Sequence, residues 1–148
     1  MRFEGAAGAT LTAPAHRALA DARTVVIAPS NPIVSIGPIR AIEGVDALLA
    51  ARRESVVGIS PIIAGTALKG PADRMLAELG FESTAVGVAR MYAPVCGTLV
   101  IDVQDAHLRA EVEACGVRCI VTDTIMRTPE ITDRKSTRLN SSHVKRSR

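Results

Sequence analysis

The chain has 148 residues with 18 basic and 15 acidic side chains, and it is 47% hydrophobic but only 2% aromatic. That length predicts one domain with an aliphatic core. Two Phe, one Tyr and no Trp provide few rings for stacking on bases, which argues against a single-stranded nucleic-acid binder. No apolar run approaches about 20 residues, so we expect no membrane partner. The N-terminus lacks a signal-peptide core, which predicts a cytoplasmic protein.

The net charge of +3 comes from the last fourteen residues. KSTRLNSSHVKRSR, residues 135–148, has five basic side chains and no acidic one, which leaves 13 basic against 15 acidic in residues 1–134. A basic tail can bind phosphate backbones. The abrupt change in composition is instead similar to translated adapter sequence. We therefore predict a domain over 1–134, a disordered non-native tail over 135–148, and no nucleic-acid partner.

Apolar runs alternate with helical patterns along the chain. The predicted elements are a helix over 13–22, a strand over 24–28, a helix over 44–53, a strand over 55–60, a helix over 71–80, strands over 84–92 and 97–103, a helix over 105–116 capped by Asp105, and a strand over 117–123. Strands joined by connections of helix length favour parallel pairing. We expect an α/β, Rossmann-like fold: a mostly parallel sheet with helices on both faces, incomplete at both ends.

Three loops that follow predicted strands are rich in polar residues and in Gly or Pro. They are APSNPIVSIGPI (28–39), SPIIAGTALKGPAD (60–73) and TDTIMR (122–127). In open parallel sheets, ligands bind beyond the carboxyl ends of the strands. The three loops therefore predict a concave polar site at one edge of the sheet.

The first loop has the features of a phosphate or nucleotide site. Ser30, Asn31 and Ser35 offer side-chain hydrogen bonds, and Gly37 permits close approach of the backbone. Free N–H groups of Ile36 and Gly37, near a helix start, would face an anion. The alternative is a rigid structural turn.

The other two loops add charged candidates. Lys69 is the only lysine before residue 135; it would strengthen an anion site, and a surface role is the alternative. Asp73 falls in a first helical turn, where capping is as good an explanation as ligand contact. Asp123 and Asp102 follow strands, a common place for functional carboxylates, but backbone hydrogen bonding also explains such residues.

No nucleophile or metal-ligand pattern is evident. Cys96, Cys115 and Cys119 lack paired C-x-x-C motifs, which predicts buried, reduced thiols. The three histidines lie far apart in sequence and form no Ser/His/Asp arrangement. We therefore assign no catalytic residue and no metal ligand.

The motifs as a set have a family likeness. APSNPIVSIGPI, ISPIIAGTALKGPADRMLAELG, VGVARMY, GTLVID and VTDTIM, in that order, resemble the 2-phospho-L-lactate transferase family, over about residues 1–130. The resemblance implies coenzyme F-420 biosynthesis: a phospholactyl or phosphoenolpyruvyl group moves from a guanosine diphosphate-linked donor to a hydroxyl of the deazaflavin Fo, and GMP leaves. It also implies Mg²⁺, a Rossmann-like fold and a homodimer for the full-length enzyme.

The resemblance also implies site residues. Positions that match the first motif would contact the nucleotide or phosphate of the donor; they are Ser30, Asn31, Ser35, Ile36 and Gly37. The second motif is matched by Lys69, Gly70 and Asp73. Phosphoryl-type transfer is mainly positioning and charge stabilisation, so no side-chain nucleophile is required.

The chain departs from the family pattern at its N-terminal side. The family begins with a glycine-rich strand–turn–helix and carries its metal-binding aspartates in the N-terminal half, and neither is found here. We therefore expect a C-terminal portion of a transferase, without Mg²⁺ ligands and inactive alone. The alternative function is a non-catalytic regulator of the same fold that binds nucleotides or nucleotide-sugars; SNP-x-x-SIGPI and LKGPADRM favour the transferase.

Overall fold

The computed structural model describes residues 3–5, 8–67 and 72–125, apart from the side chain of Asp73. The helices over these residues are α1 (Ala13–Asp21), α2 (Gly37–Arg40), α3 (Val45–Ala51), α4 (Ala72–Glu78), α5 (Ala85–Tyr92) and α6 (Arg109–Ala114). The strands are β1 (Val25–Ile27), β2 (Val56–Ile59), β3 (Ile62–Ile63), β4 (Thr66–Ala67), β5 (Thr98–Ile101) and β6 (Arg118–Val121). The predicted tail over 135–148 lies outside the described residues.

Four parallel strands form the main sheet in the order β1-β2-β5-β6. The two central strands, β2 and β5, are buried along their whole length. Such burial on both faces explains why VVGI and TLVI are nearly continuous apolar runs rather than alternating ones. β3 and β4 form a separate antiparallel hairpin directly after β2. The predicted α/β, Rossmann-like class with a parallel sheet is confirmed. The predicted helices on both faces of the sheet stay a prediction.

Each strand of the main sheet pairs with the next one in chain order. Right-handed crossovers that always step in the same direction place their helices on the same face. That face carries Val56, Leu99 and Ile101, and it shares the largest buried cluster with side chains of α3, α5 and α6. The opposite face carries a second cluster of four side chains, Val57, Ile59, Val100 and Ile120.

Helix α5 occupies Ala85–Tyr92, so the strand predicted over residues 84–92 is wrong. Thr84 caps the helix, because its Oγ1 accepts a hydrogen bond from the N–H of Gly87 at 3.2 Å. The helix is buried almost all round. A fully buried helix lacks the polar face that would reveal its period, so its sequence cannot be told from that of a buried strand.

The other predicted strands and helices are confirmed with end shifts of a few residues. The predicted cap is different: Asp102, not Asp105, caps the 3₁₀ segment Val103–Leu108 by accepting from the N–H of Gln104 at 3.0 Å. α6 begins only at Arg109.

All three cysteines are free; two are buried and Cys115 is partly exposed. None of the described helices has the length and apolarity needed to cross a membrane.

Candidate functional site

The carboxyl ends of β1, β2, β5 and β6 lie at one edge of the sheet because the four strands are parallel. The segments that leave this edge begin at residues 28, 60, 102 and 122. Three of them are the loops that the sequence marked as polar. We refer to this region as the carboxyl edge.

The first motif is helical rather than an open loop. Pro32–Ile36 forms one π-helical turn, and α2 follows directly. Asn31 caps that turn: its Oδ1 accepts from the N–H groups of Ile33 at 2.9 Å and Val34 at 3.2 Å. Its backbone oxygen accepts from the N–H groups of Ser35 and Ile36, both at 3.1 Å. The prediction that the Ile36 N–H is free to face an anion is therefore wrong.

The side chains of this motif present a mixed polar and apolar surface. Ser35 is exposed and Ser30 is half-buried. Two apolar neighbours are also exposed, Val34 at 42% and Ile39 at 52%. A ligand at this motif would therefore contact side chains more than backbone N–H groups.

Gly37 packs closely against other parts of the chain. A Cβ at this position would lie 3.0 Å from Cζ of the Phe3 ring and 3.4 Å from the carbonyl oxygen of Pro32. The absence of a side chain thus admits an aromatic ring from the N-terminal segment. The predicted contact of Gly37 with a ligand stays a prediction.

The structure brings the first motif and the helix of the second motif together. The Asn31 Nδ2 donates to Sδ of Met75 at 3.5 Å, and α4 packs against the π-helical turn. Ala72 and Leu76 anchor α4, at 2% and 0% exposure. Asp73 lies on the same helix, two residues before Met75.

Lys69 and Gly70 of the second motif lie outside the described residues. Their predicted contacts with the donor, like that of Asp73, stay predictions.

Asp102 follows β5 and is the most heavily bonded polar side chain at the carboxyl edge. Its Oδ1 accepts from the backbone N–H and Nε2 of Gln104 at 3.0 and 3.3 Å, and its Oδ2 accepts from the N–H and Oγ1 of Thr124 at 2.8 and 3.0 Å. Burial alone would raise the pKa of Asp102, but the hydrogen bonds from Thr124 and Gln104 outweigh it and hold the pKa below 3.8. The ionised carboxylate thereby fastens the start of TDTIM to β5.

Asp105 is also buried, but it bonds to the hairpin that follows β2 rather than to the segment that follows β6. Both of its carboxylate oxygens accept from the N–H of Ala64, at 3.1 and 3.2 Å. Ala64 lies in the β3–β4 hairpin with a φ of 49°. Burial raises the pKa of Asp105, and the nearby Asp102 adds to the rise, while the Ala64 N–H and the charge of His107 oppose it.

The contact between Asp105 and Ala64 could not be predicted from the sequence. The carboxylate and the Ala64 amide are 41 residues apart, so no local spacing reveals the contact. The one available signal was an acidic residue just beyond a buried strand, which was assigned to a helix cap.

Two other polar residues at this edge bond locally. Oδ1 of Asp123 accepts from the N–H of Ile125 at 3.1 Å, which agrees with the backbone alternative. Oγ of Ser60 accepts from the N–H of Ile62 at 3.2 Å and donates to its carbonyl oxygen at 3.0 Å. Arg127 lies outside the described residues.

A groove of about 420 Å³ lies between α5 and α6. It is lined by residues of α5 and α6 and the turns that follow them: Val86, Arg90, Ala93, Glu111, Ala114 and Cys115. Both helices end there before the next strand begins. None of the predicted site residues lines it, so its size does not make it the better candidate.

The described carboxylates do not fit a Mg²⁺ site. Among residues 3–5, 8–67 and 72–125, no group of three or more His, Cys, Asp or Glu side chains is arranged to hold a metal ion. Mg²⁺ demands near-octahedral oxygen ligands. Both oxygens of Asp102 already accept two hydrogen bonds each, so we assign the ion no ligand among these residues.

A parallel α/β sheet with polar segments gathered at its carboxyl edge is the architecture of Rossmann-like, ligand-binding domains. The motifs at that edge narrow the class further. Residues 2–138 match the family described as 2-phospho-L-lactate transferase CofD, and the chain belongs to that family.

Curated relatives of this chain carry the name phosphoenolpyruvate transferase. The chain is 44% identical over 117 residues to that of Kitasatospora aureofaciens, which covers 78% of this chain and 36% of the relative. The protein of Mycobacterium avium (strain 104) is 44% identical over 122 residues, with coverages of 80% and 36%. That of Mycobacterium bovis (strain BCG / Pasteur 1173P2) is 39% identical over 130 residues, with coverages of 88% and 39%. The chain thus spans little more than a third of the length of these relatives.

Proposed function

We propose that this chain is part of a transferase of coenzyme F-420 biosynthesis that moves a phosphoenolpyruvyl or phospholactyl group to the deazaflavin Fo. The observation that carries the proposal is the family match over residues 2–138. The names of relatives at 39–44% identity support the phosphoenolpyruvyl form of the group. The proposed assembly is a cytoplasmic homodimer that uses Mg²⁺.

The proposed reaction is a displacement at phosphorus. The Fo hydroxyl oxygen forms a bond to the phosphorus that carries the enolpyruvyl or lactyl group. The bond from that phosphorus to the bridging oxygen of the guanosine diphosphate-linked donor breaks, GMP leaves with the bridging oxygen, and the hydroxyl proton is released. Such a reaction depends on positioning and on charge stabilisation rather than on a protein nucleophile.

The first motif is the proposed contact with the donor. Its helical turn is rigid, because Asn31 bonds four backbone N–H groups of the turn through its side chain and its carbonyl oxygen. Ser35 remains exposed on this fixed support and Ser30 is half-buried next to it. A hydroxyl on a rigid turn binds a phosphate or ribose oxygen with little loss of conformational freedom. Lys69, Gly70 and Asp73 are the proposed contribution of the second motif.

A segment graft tests the proposal without assuming that the chain acts alone. The segment of the Kitasatospora aureofaciens relative that matches this chain over 117 residues is replaced by the corresponding residues of this chain, and GMP release and product formation are measured with Fo, donor and Mg²⁺. We expect turnover within about tenfold of the parent, since the segments are 44% identical. A folded graft that binds donor and Fo but shows no turnover would contradict the proposal. We expect the 148-residue chain alone to be inactive, and robust turnover by it would show that this part of the proposal is wrong.

Calorimetry separates the transferase from the nucleotide-sugar regulator. If the chain is part of the transferase, we expect GDP to bind to it more tightly than UDP-sugars do. Preference for a UDP-sugar would instead favour the regulator.

A further inference from the structure

Two buried carboxylates stand three residues apart at the carboxyl end of β5, Asp102 at 1% and Asp105 at 2% exposure. Their hydrogen bonds run to opposite neighbours. Asp105 bonds to the hairpin that follows β2, and Asp102 bonds to the segment that follows β6. β5 lies between β2 and β6 in the sheet, so side chains at its end are within reach of both.

We propose that Asp102 and Asp105, the carboxylate pair, are positioning residues that hold residues 62–67 and 122–125 at the carboxyl edge. This proposal rests on the proposed function, in which the donor binds at the carboxyl edge. The pair does not touch the reacting atoms. It acts through the backbone that it fixes on each side of the central strand.

Asp105 offsets an unfavourable backbone conformation in the hairpin. Ala64 is the one described residue other than glycine with a positive φ, at 49°. An alanine in this left-handed region is strained, because its Cβ crowds the backbone. The hydrogen bonds from its N–H to both oxygens of a buried carboxylate stabilise that conformation. The hairpin leads directly into residues 68–73, so its position sets where the second motif begins.

Asp102 fixes the segment on the other side. Thr124 donates both its backbone N–H and its hydroxyl to one carboxylate oxygen. Two bonds from one residue determine both the position and the rotation of the backbone there. The other oxygen holds Gln104, which ties the same carboxylate to the turn that contains Asp105.

Hydrogen exchange of the whole 148-residue chain tests the proposal, with each member of the pair as the control for the other. In Asp105→Ala, we expect amides of residues 62–67 to exchange at least tenfold faster, with less than a twofold change in residues 122–125. In Asp102→Ala, we expect the reverse pattern. Adding Ala64→Gly to Asp105→Ala should slow exchange in the hairpin again, because glycine adopts a φ of 49° without strain.

The conservative variants keep the proposal testable if an alanine variant does not fold. Asp102→Asn and Asp105→Asn retain one acceptor oxygen, and we expect the same two patterns with smaller amplitude. Equal acceleration of both segments by either single variant, or no acceleration of either, would overturn the proposal.

A kinetic measurement distinguishes positioning from general stabilisation. In the graft, Asp105→Asn should raise the donor KM several-fold and leave the Fo KM unchanged, whereas a change in kcat alone would contradict positioning of the donor site. The two proposals fail separately. If the wild-type graft has no transferase activity, the proposed function is wrong, while the exchange patterns still decide whether the pair positions the two segments.

Discussion

The first motif and the carboxylate pair lie at the same edge of the sheet but use their polar groups differently. The two oxygens of Asn31 accept from N–H groups no more than five residues away, and this closes a single helical turn. Its side-chain nitrogen makes one longer-range contact, with Sδ of Met75. Asp102 and Asp105 bond across 22 and 41 residues, and this joins three separate segments. The backbone of the first region is fixed mainly by bonds within the same turn, whereas the carboxylates of the second region fix segments that are distant in sequence.

Because of that difference, we expect mutations in the first motif to affect ligand binding and mutations of the carboxylate pair to affect the stability of the fold. A motif that satisfies its own backbone can expose side chains such as Ser35 to a ligand at no cost to the rest of the fold. A buried carboxylate that satisfies distant groups leaves several donors without partners when it is removed. Stability should therefore respond most to the carboxylate pair, and donor binding to the first motif.

Asp102→Ala should have the largest effect on stability. It removes the acceptor for four hydrogen bonds from Gln104 and Thr124, so we expect a loss of roughly 2–4 kcal/mol in the free energy of unfolding. Urea denaturation of the wild type and the variant measures it. Glu43→Ala, at an exposed position, is the control and should change stability by less than about 0.5 kcal/mol. A loss as small as that of the control would contradict the role given to Asp102.

The stability of the fold at acid pH should also depend on the Asp102 carboxylate. The pKa of Asp102 is lowered in the fold, so its contribution to stability is present above the ordinary value of 3.8 and is lost as pH falls through the lower, folded value. We expect the stability of Asp102→Asn to fall less than that of the wild type below about pH 3.8. Parallel curves of Tm against pH for the two proteins would show that this prediction is wrong.

Asp105→Ala should have the next largest effect, a loss of roughly 1–3 kcal/mol in the free energy of unfolding. It leaves one donor, the N–H of Ala64, without its carboxylate, and burial already disfavours the charged form of Asp105. Thermal unfolding measures the loss. The double variant with Ala64→Gly should recover part of it, and a recovery of zero would contradict the strain assigned to Ala64.

Asn31→Ala should destabilise by about 1 kcal/mol, because it removes a side-chain cap that accepts from two N–H groups. Asn31→Asp retains an acceptor oxygen and serves as the matched control, with a smaller loss. Urea denaturation of the three proteins is sufficient. Equal losses in both variants would mean that the cap does not carry the effect.

Ser35→Ala should have the smallest effect on stability, within about 0.5 kcal/mol, because the side chain is exposed. The same change should weaken GDP binding several-fold if Ser35 contacts the donor. Calorimetry and thermal unfolding on the same samples separate the two effects. Unchanged binding would remove Ser35 from the proposed site.

Much of the fold could be predicted from sequence because its signals are local. TVVIA, SVVGIS and GTLVID are continuous apolar runs bounded by turn residues, and each became a parallel strand. Residues 84–92 were misassigned because a helix buried on nearly all sides has the composition of a buried strand. The segments that leave the carboxyl edge could also be predicted, because each one directly follows a parallel strand in the sequence.

The detailed site could not be predicted to the same degree. The sequence predicted a rigid loop with free backbone N–H groups here, but the segment forms a π-helical turn in which Asn31 accepts from those of residues 33 to 36. The bonds of Asp105 depend on the tertiary placement of a hairpin 41 residues away. Local spacing has no information on such contacts, and this is why the scaffold role of the pair appears only in the structure.

The most direct test of the account is an NMR titration of the ¹⁵N-labelled chain with GDP and Mg²⁺. We expect chemical-shift changes in the backbone amides of residues 30–37 and of α4. We expect smaller changes at Gln104 and Thr124, because their amides stay bonded to Asp102. Changes confined to the groove between α5 and α6, or no change at residues 30–37 at saturating GDP, would contradict the assignment of the first motif to the donor and of the carboxylate pair to the scaffold.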